Sequence, residues 1–391
     1  MKKIVAILLV LAMVIAAVGC AAPAAPAAPA AEAAPAAEAP AEAAPAAEAA
    51  PAEAAPEEAA AGTYEIAMIT DVGNIDDQSF NQYTWEGTKE WAEKNGKTVN
   101  YYRPSEDSDE ARIETIKTAI GKGAKVVVCP GYLFGASFNA VAPEYPDVVF
   151  IGIDLSLGDV PEPTDNVALV TYQEEQSGFF AGYATAKAGY TDIAYLGGMA
   201  VPAVVRYGFG FLQGLDYAAG EMGSKDIKVK YWYSGSFAPT DDIKTKTSGW
   251  YTEGTQVVFA CGGGILYSAI ASAQETTDGK IVGVDVDQGY IDERIITSAM
   301  KDLKGSVQTV LDAIAANGGK LPADYVGVET KLGASTGAVG IPTAEGSFKL
   351  GDFTVDEYNA LFEKVKAGEI AVSADIENRP TLSNITVDYQ E

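Results

Sequence analysis

No histidine occurs anywhere in the 391-residue chain. Its absence removes Ser-His-Asp and Cys-His catalysis together with the commonest transition-metal ligand. Cysteine is scarce: beyond Cys20 only Cys129 and Cys261 remain, each closing an apolar run in a different half of the chain. That placement suits buried strand residues better than a disulfide. Basic residues are few, 27 Lys and Arg against 54 Asp and Glu. The first 61 positions hold Lys2, Lys3 and seven Glu, a balance of −5, so −22 of the total −27 belongs to the rest. Bulk charge of that sign makes nucleic acid and anionic membrane surfaces poor partners. Phosphate-binding glycine motifs are missing too. A nucleotide-dependent enzyme of Rossmann type needs Gly-x-Gly-x-x-Gly after its first strand, and 71–81 holds only Gly73. The triple glycine Gly262-Gly263-Gly264 is not followed by Gly-Lys-Ser/Thr, so close backbone approach to a neutral ligand fits it better than a phosphate cradle.

The N-terminal end has a plain reading. Lys2 and Lys3 precede an apolar run from Ile4 to Val18 that stops at Gly19-Cys20. The run is too short and one-sided for a membrane span and reads as a secretory signal. Ala17-Val18-Gly19-Cys20 resembles the bacterial lipobox, with Ala17 where leucine is more usual. The resemblance implies a signal peptide over 1–19, cleavage before Cys20, and acylation of Cys20 with palmitate-type chains. Two or more acyl chains hold a protein stably at a bilayer. The expected location is therefore the extracytoplasmic face of the cell membrane. From 21 to 61 the chain is almost wholly Ala, Pro and Glu. Frequent proline blocks a continuous helix and like charges repel, so 20–62 is expected to be an extended tether without a core.

The remainder, 63–391, is long enough for two lobes with separate cores. Short β-branched apolar runs alternate with amphipathic stretches of helical length. Strands are predicted over 64–70, 98–102, 125–129, 148–154, 167–172, 192–196, 229–233, 256–261, 280–285 and 295–299. Such alternation argues parallel sheets with crossover helices. Helices are predicted over 110–122, where Ile113, Ile116 and Ile120 share a face, and over 306–317, where Val307, Val310, Leu311 and Ile314 do. Ser79 and Gln82 are spaced as a capping box for a helix carrying Trp85 and Trp91 that ends near Asn95-Gly96.

In open parallel sheets the ligand crevice lies at the carboxyl ends of the strands. The loops there are 71–81, 234–237, 262–264 and 285–288, and they offer acids, aromatics and exposed backbone. Phe80 either packs under its own helix or faces a ligand, and Phe237 either plugs its loop or completes a clamp from the other lobe. Asp285 ends a very apolar strand, where it either shapes a turn or accepts hydrogen bonds from a vicinal diol. Asp71 has the same two options. Lys301 is either a solvated surface lysine or the cation that keeps cleft carboxylates from repelling one another.

The segments 71–82 (DVGNIDDQSFNQ), 173–183 (QEEQSGFFAGY), 197–214 (GGMAVPAVVRYGFGFLQG), 235–237 (GSF) and 283–288 (GVDVDQ) resemble the basic membrane protein family. These are substrate-binding lipoproteins of ABC transporters, related to the purine nucleoside receptor type, and the likeness runs in order from about Tyr64 to beyond Lys301. It implies an α/β, type I periplasmic-binding-protein fold: two Rossmann-like lobes with parallel sheets joined by a three-segment hinge. The implied lobes are about 63–171 with 288–325, and about 172–287 with 326–391. It also implies that Phe80 and Phe237 sandwich a base, while Asp71, Asn81, Gly263, Asp285 and Lys301 surround base and sugar. One departure stands out. Family members often carry an acid after the Gly-aromatic-x-Phe turn, and here the chain reads Gly131-Tyr132-Leu133-Phe134-Gly135-Ala136-Ser137, so the polar contact to the base is either missing or supplied by Ser137.

The expectation is a monomeric binding protein, not an enzyme, without metal or cofactor, that delivers a nucleoside, purine first, to an ABC permease. Three rivals stay open. A sugar receptor of the same fold uses aromatic platforms and aspartates as well; a Rossmann-type enzyme is disfavoured by its missing glycines; a surface receptor without transport shares every feature above.

Overall fold

The computed structural model describes residues 65–224 and 226–390. The expected signal peptide, Cys20 and the tether lie outside the described residues. In chain order the elements are β1 (Ile66–Ile69), α1 (Phe80–Lys94), β2 (Val99–Tyr102), α2 (Asp109–Gly121), β3 (Val126–Pro130), α3 (Gly135–Val141), β4 (Val149–Ile153) and β5 (Val167–Tyr172). There follow α4 (Glu174–Lys187), β6 (Asp192–Gly197), α5 (Pro202–Met222), β7 (Lys228–Tyr233), α6 (Asp241–Thr252), β8 (Val257–Cys261), α7 (Ile265–Gln274), β9 (Lys280–Asp285) and β10 (Ile295–Lys301). The last elements are α8 (Leu303–Ala316), β11 (Glu329–Leu332), β12 (Val339–Gly340), α9 (Val355–Lys366) and β13 (Thr386–Tyr389).

The strands form two sheets. The first runs β2-β1-β3-β4-β5-β11 and is parallel throughout. The second runs β13-β7-β6-β8-β9-β10-β12, and only β12 is antiparallel. Successive side chains of a strand point to opposite faces, so an all-apolar strand feeds a core on each side. β1 shows this: Ile66 and Met68 join one cluster while Ala67 and Ile69 join another. All ten strands predicted from the apolar runs are present. Cys129 and Cys261 are buried free thiols in β3 and β8, in different sheets.

Each sheet has one cluster of its own. The other faces share a third that spans both sheets and α4, α5, α8 and α9. Three crossings explain the shared core. After β5 the chain enters α4, which packs on β10 and β12; after β10 it enters α8, which packs on α1 and β4; between β11 and β12 it crosses again. This is the expected three-segment hinge, with two of its positions corrected. β10 pairs with β9 in the second sheet, so the crossing follows Lys301 and not 287, and β11 pairs with β5, so the last crossing follows Leu332 and not 325. The reason for the first shift is that the loop from β9 to β10 carries no helix, yet the apolar run of β10 is long enough to extend the second sheet.

Candidate functional site

A sheet ordered 2-1-3-4-5 reverses direction at one place, and the loops leaving the strands there part into a crevice. That place lies between β1 and β3 in the first sheet and between β6 and β8 in the second. At the first, Asp71 follows β1 and Gly131 follows β3; a Cβ on Gly131 would stand 3.3 Å from Asp71 Oδ2. At the second, Gly198 N donates to Cys261 O (2.9 Å). The Phe237 ring lies over these glycines, since a Cβ on Gly198 would come within 2.4 Å of a ring carbon and one on Gly262 within 3.0 Å.

The loop from β1 to α1 satisfies its own polar groups. Asp71 Oδ1 accepts from Gly73 N (2.7 Å) and Asn81 Nδ2 (2.9 Å). Asp77 accepts from the backbone N–H groups of Ser79 (2.9 Å), Asn81 (3.0 Å) and Gln82 (3.1 Å). The expected Ser79–Gln82 capping box is therefore replaced. A carboxylate two residues upstream reaches the unpaired N–H groups with charge-assisted bonds at the positive end of the helix dipole, which frees the Ser79 hydroxyl. Gln82 Oε1 accepts from Gln78 N instead (2.9 Å). Asn81 is buried and its amide is spent on Asp71 and Asp77. Burial raises the Asp71 carboxyl and pushes Asp77 up to about 6, its backbone donors offsetting only part of the desolvation.

Between the lobes, at the hinge, lies Lys301, its side chain 2% exposed. Its Nζ is 2.6 Å from Asp154 Oδ2, 3.5 Å from Glu174 Oε1 and 3.6 Å from Asp285 Oδ1. The ammonium also stands 4.6 Å from the Phe80 ring centroid, 5.2 Å from Tyr172 and 5.6 Å from Tyr207, near enough for cation–π attraction. Glu174 has a second cation, Arg206 Nε at 2.5 Å. That contact is possible because α4 and α5 touch through glycines: a Cβ on Gly182 or Gly214 would come within 2.1 Å of a backbone oxygen of the other helix. Burial alone would lower the Lys301 pKa, but Asp154, Asp285 and Glu174 together raise it. Against burial, Arg206 and Lys301 hold Glu174 low. For Asp154 burial wins over its share of one lysine, and the carboxyl is pushed up to about 7.

Asp285 is buried, and both its oxygens are occupied. Oδ2 accepts from Ser79 Oγ across the cleft (2.5 Å) and Oδ1 from Tyr207 OH (3.3 Å). Three residues later the fully buried Gln288 joins the lobes as well, its Nε2 donating to Gln78 O (2.9 Å) and its Oε1 accepting from Val284 N (2.8 Å). Gly283 makes room for it, since a Cβ there would be 2.5 Å from Gln288 Oε1. Tyr290 OH donates to Gln78 Oε1 and lies 3.4 Å from Tyr83 OH. Gly263 has φ +55°, and a Cβ there would be 3.8 Å from Asp77 Oδ2 in the other lobe.

The seven expected site residues fall in three groups, linked across the lobes by the Ser79–Asp285 hydrogen bond and by Gly263 opposite Asp77. Phe80, Asp285 and Lys301 converge at the hinge, Asp71 and Asn81 form the loop beside them, and Phe237 and Gly263 line the second lobe. Asp154, Glu174, Arg206, Tyr207, Ser79 and Gln288 belong to the same cluster and were not among the expected residues. Asp154 carries the same signal as Asp285, an acid closing an apolar strand. Ser137, one of the two alternatives for the base contact, is fully buried and its Oγ has no hydrogen-bond partner among the described residues. A groove of about 430 Å³ touches Asp285 and Lys301 and is otherwise lined by Tyr83 of α1, Val286 and Asp287 after β9, the hinge segments and α9, without Phe80, Phe237 or Asp71. Among the described residues no group of three His, Cys, Asp or Glu is placed to hold a metal ion, and no helix is long and apolar enough to cross a membrane.

Residues 64–375 match the family described as ABC transporter substrate-binding protein, PnrA-like. The ABC transporter nucleoside-binding protein BmpA of Lactococcus lactis is 29% identical over 279 residues, 66% of this chain and 76% of that protein. Basic membrane protein A1 of Borrelia garinii is 30% identical over 246 residues, 62% of this chain and 70% of that protein. In structure, the chain is similar to ABC transporter solute-binding proteins from Aeropyrum pernix (TM-score 0.66, 22% identity, 79% of this chain and 94% of that one) and Conexibacter woesei (TM-score 0.61, 21% identity, 80% and 99%). At those identities the structural likeness speaks for the fold, the two-lobed type I periplasmic-binding-protein fold.

Proposed function

The chain belongs to the PnrA-like family of ABC transporter substrate-binding proteins, and from that premise we propose that it captures a nucleoside, a purine nucleoside first, and hands it to a membrane permease. The observation that carries this reading is the junction at Lys301, where three carboxylates, among them Asp285 with a hydroxyl on each oxygen, meet the Phe80 ring, its centroid 4.6 Å from the ammonium. Such a junction suits a neutral ligand with an aromatic end and a hydroxyl-rich end. The base stacks between Phe80 and Phe237, an interaction worth about 1–3 kcal/mol per aromatic. The sugar reaches Asp285 by exchanging hydroxyl for hydroxyl, because Ser79 and Tyr207 already fill its oxygens. Asp71, Asn81 and Gly263 shape the walls. The relative in Lactococcus lactis is named a nucleoside-binding protein, which supports the ligand class.

A phosphate is poorly served. Lys301 and Arg206 are spent on buried carboxylates, and Arg112, on α2, is paired with Asp107 and Asp109. We read the protein as a monomeric binder without catalysis, held outside the cytoplasm by lipid on Cys20. Calorimetry on the purified protein tests the ligand: adenosine or guanosine binds tightly, and the 5′-monophosphate at least tenfold more weakly. Tighter binding of the monophosphate, or of a pyranose, would sink the reading. Cys20→Ser tests the anchor by moving the protein from membranes to the soluble fraction.

A further inference from the structure

The fourth strand of each sheet ends the same way. β4 runs into Asp154 with φ 58° and β9 closes on Asp285 with φ 66°; with Gln78 these are the non-glycine residues of left-handed backbone among those described. Such conformations are uncommon for residues with a Cβ and persist where the surroundings hold them. Here both turns aim a carboxylate at Lys301, one from each lobe.

Their oxygens are not treated alike. Asp285 has a hydroxyl donor on each oxygen. Asp154 has Lys301 on Oδ2, while Oδ1 has no hydrogen-bond partner although the side chain is only 9% exposed. An unmet buried acceptor is costly and calls for a reason. Lys301 is likewise under-used: of its three N–H donors one makes a short bond to Asp154 (2.6 Å) and one a long bond to Glu174 (3.5 Å), while Asp285 stands at 3.6 Å. A hydroxyl between the two would donate to Asp154 Oδ1 and accept from Lys301.

We propose that Asp154 is a ligand contact, taking a ligand hydroxyl on Oδ1 while Oδ2 stays on Lys301, so that the sugar is gripped by strand-end aspartates from both lobes. This rests on reading the cleft as a nucleoside site. The titration of Asp154 gives it a signature. The groups facing it are Lys301 on β10, Glu174 on α4, Arg206 and Tyr207 on α5 and Tyr172 on β5, and burial outweighs the two cations, pushing the carboxyl up to about 7. A hydroxyl donor favours the ionised form. Binding near pH 7 therefore releases a proton and tightens as pH rises.

The test is a cycle of ligand and protein changes. Adenosine and its 2′-, 3′- and 5′-deoxy analogues are titrated calorimetrically into the native protein and Asp154→Asn. The variant weakens adenosine about ten- to hundredfold, as for a hydrogen bond to a charged group. One deoxy analogue, already weak for the native protein, loses less than threefold more. Equal loss for all four ligands, or none, overturns the proposal. A second measurement needs no variant: paired buffers of different ionisation enthalpy report proton release with adenosine on the native protein, absent with that analogue. Identical release with every analogue overturns it too. Should a sugar bind and no nucleoside, the ligand reading fails, and the same cycle on deoxy-sugars decides Asp154 separately.

Discussion

The two lobes share the strand order 2-1-3-4-5, yet they present opposite surfaces at their switch points. In the first, Asp71, Asp77 and Asn81 are tied to one another and to the start of α1. In the second, the corresponding ground is bare backbone at Gly198 and Gly262–Gly264, covered by one ring, Phe237. The first lobe has settled its polar groups before any ligand arrives; the second offers contact surface and little to satisfy. The demanding chemistry is moved to the hinge, where carboxylates from both lobes depend on Lys301. The lesson is that the lobes are unequal walls around a shared charge centre.

That contrast breaks most completely at the lysine. Lys301→Met leaves Asp154, Glu174 and Asp285 without their common cation, and removing one partner of a buried ion pair costs about 3–5 kcal/mol. Denaturant unfolding of the empty protein at pH 7 should show it, and adding Asp154→Asn should restore part. A variant as stable as the native protein would mean that the acids do not share this cation.

The acids that burial has raised provide the next effect. Asp154 and Glu175 are each pushed up to about 7, above their unfolded values. Stability from their neutral forms is complete below the unfolded pKa and is lost as pH rises through the folded one. The empty protein should therefore melt higher at pH 5 than at pH 8, by an amount of order 1–3 kcal/mol, and Asp154→Asn should flatten that slope. Glu174, held low, acts in the opposite sense, its contribution falling away only under more acidic conditions. An unchanged slope in the variant would remove Asp154 as its source.

The smallest effect lies at the rim. Tyr290 is 63% exposed and its hydroxyl joins the lobes through contacts with Gln78 and Tyr83. Tyr290→Phe should leave the melting temperature alone and speed ligand release about two- to fivefold, the size of one modest hydrogen bond. Stopped-flow release unaltered by the change would show that the rim contact does not slow ligand escape.

Local pattern and tertiary packing divided the work along a clear line. Runs such as Val126–Pro130 and Lys280–Asp285 are strands because apolar and β-branched residues buried on both faces leave no other economical arrangement, and that was legible residue by residue. Glu329–Leu332, Val339–Gly340 and Thr386–Tyr389 carried no such signal, being short or polar and finding their places only beside strands already formed. The resemblance named Asp285 and Lys301 and the strand ends told where acids would stand, but which oxygen each acid would leave open depended on partners far apart in the chain. Ser79 meets Asp285 across 206 positions and Lys301 meets Asp154 across 147. A hydrogen bond is decided within a few tenths of an ångström, which only the packed lobes fix, whereas burial of an apolar run needs no such accuracy and is written in the order of residues itself.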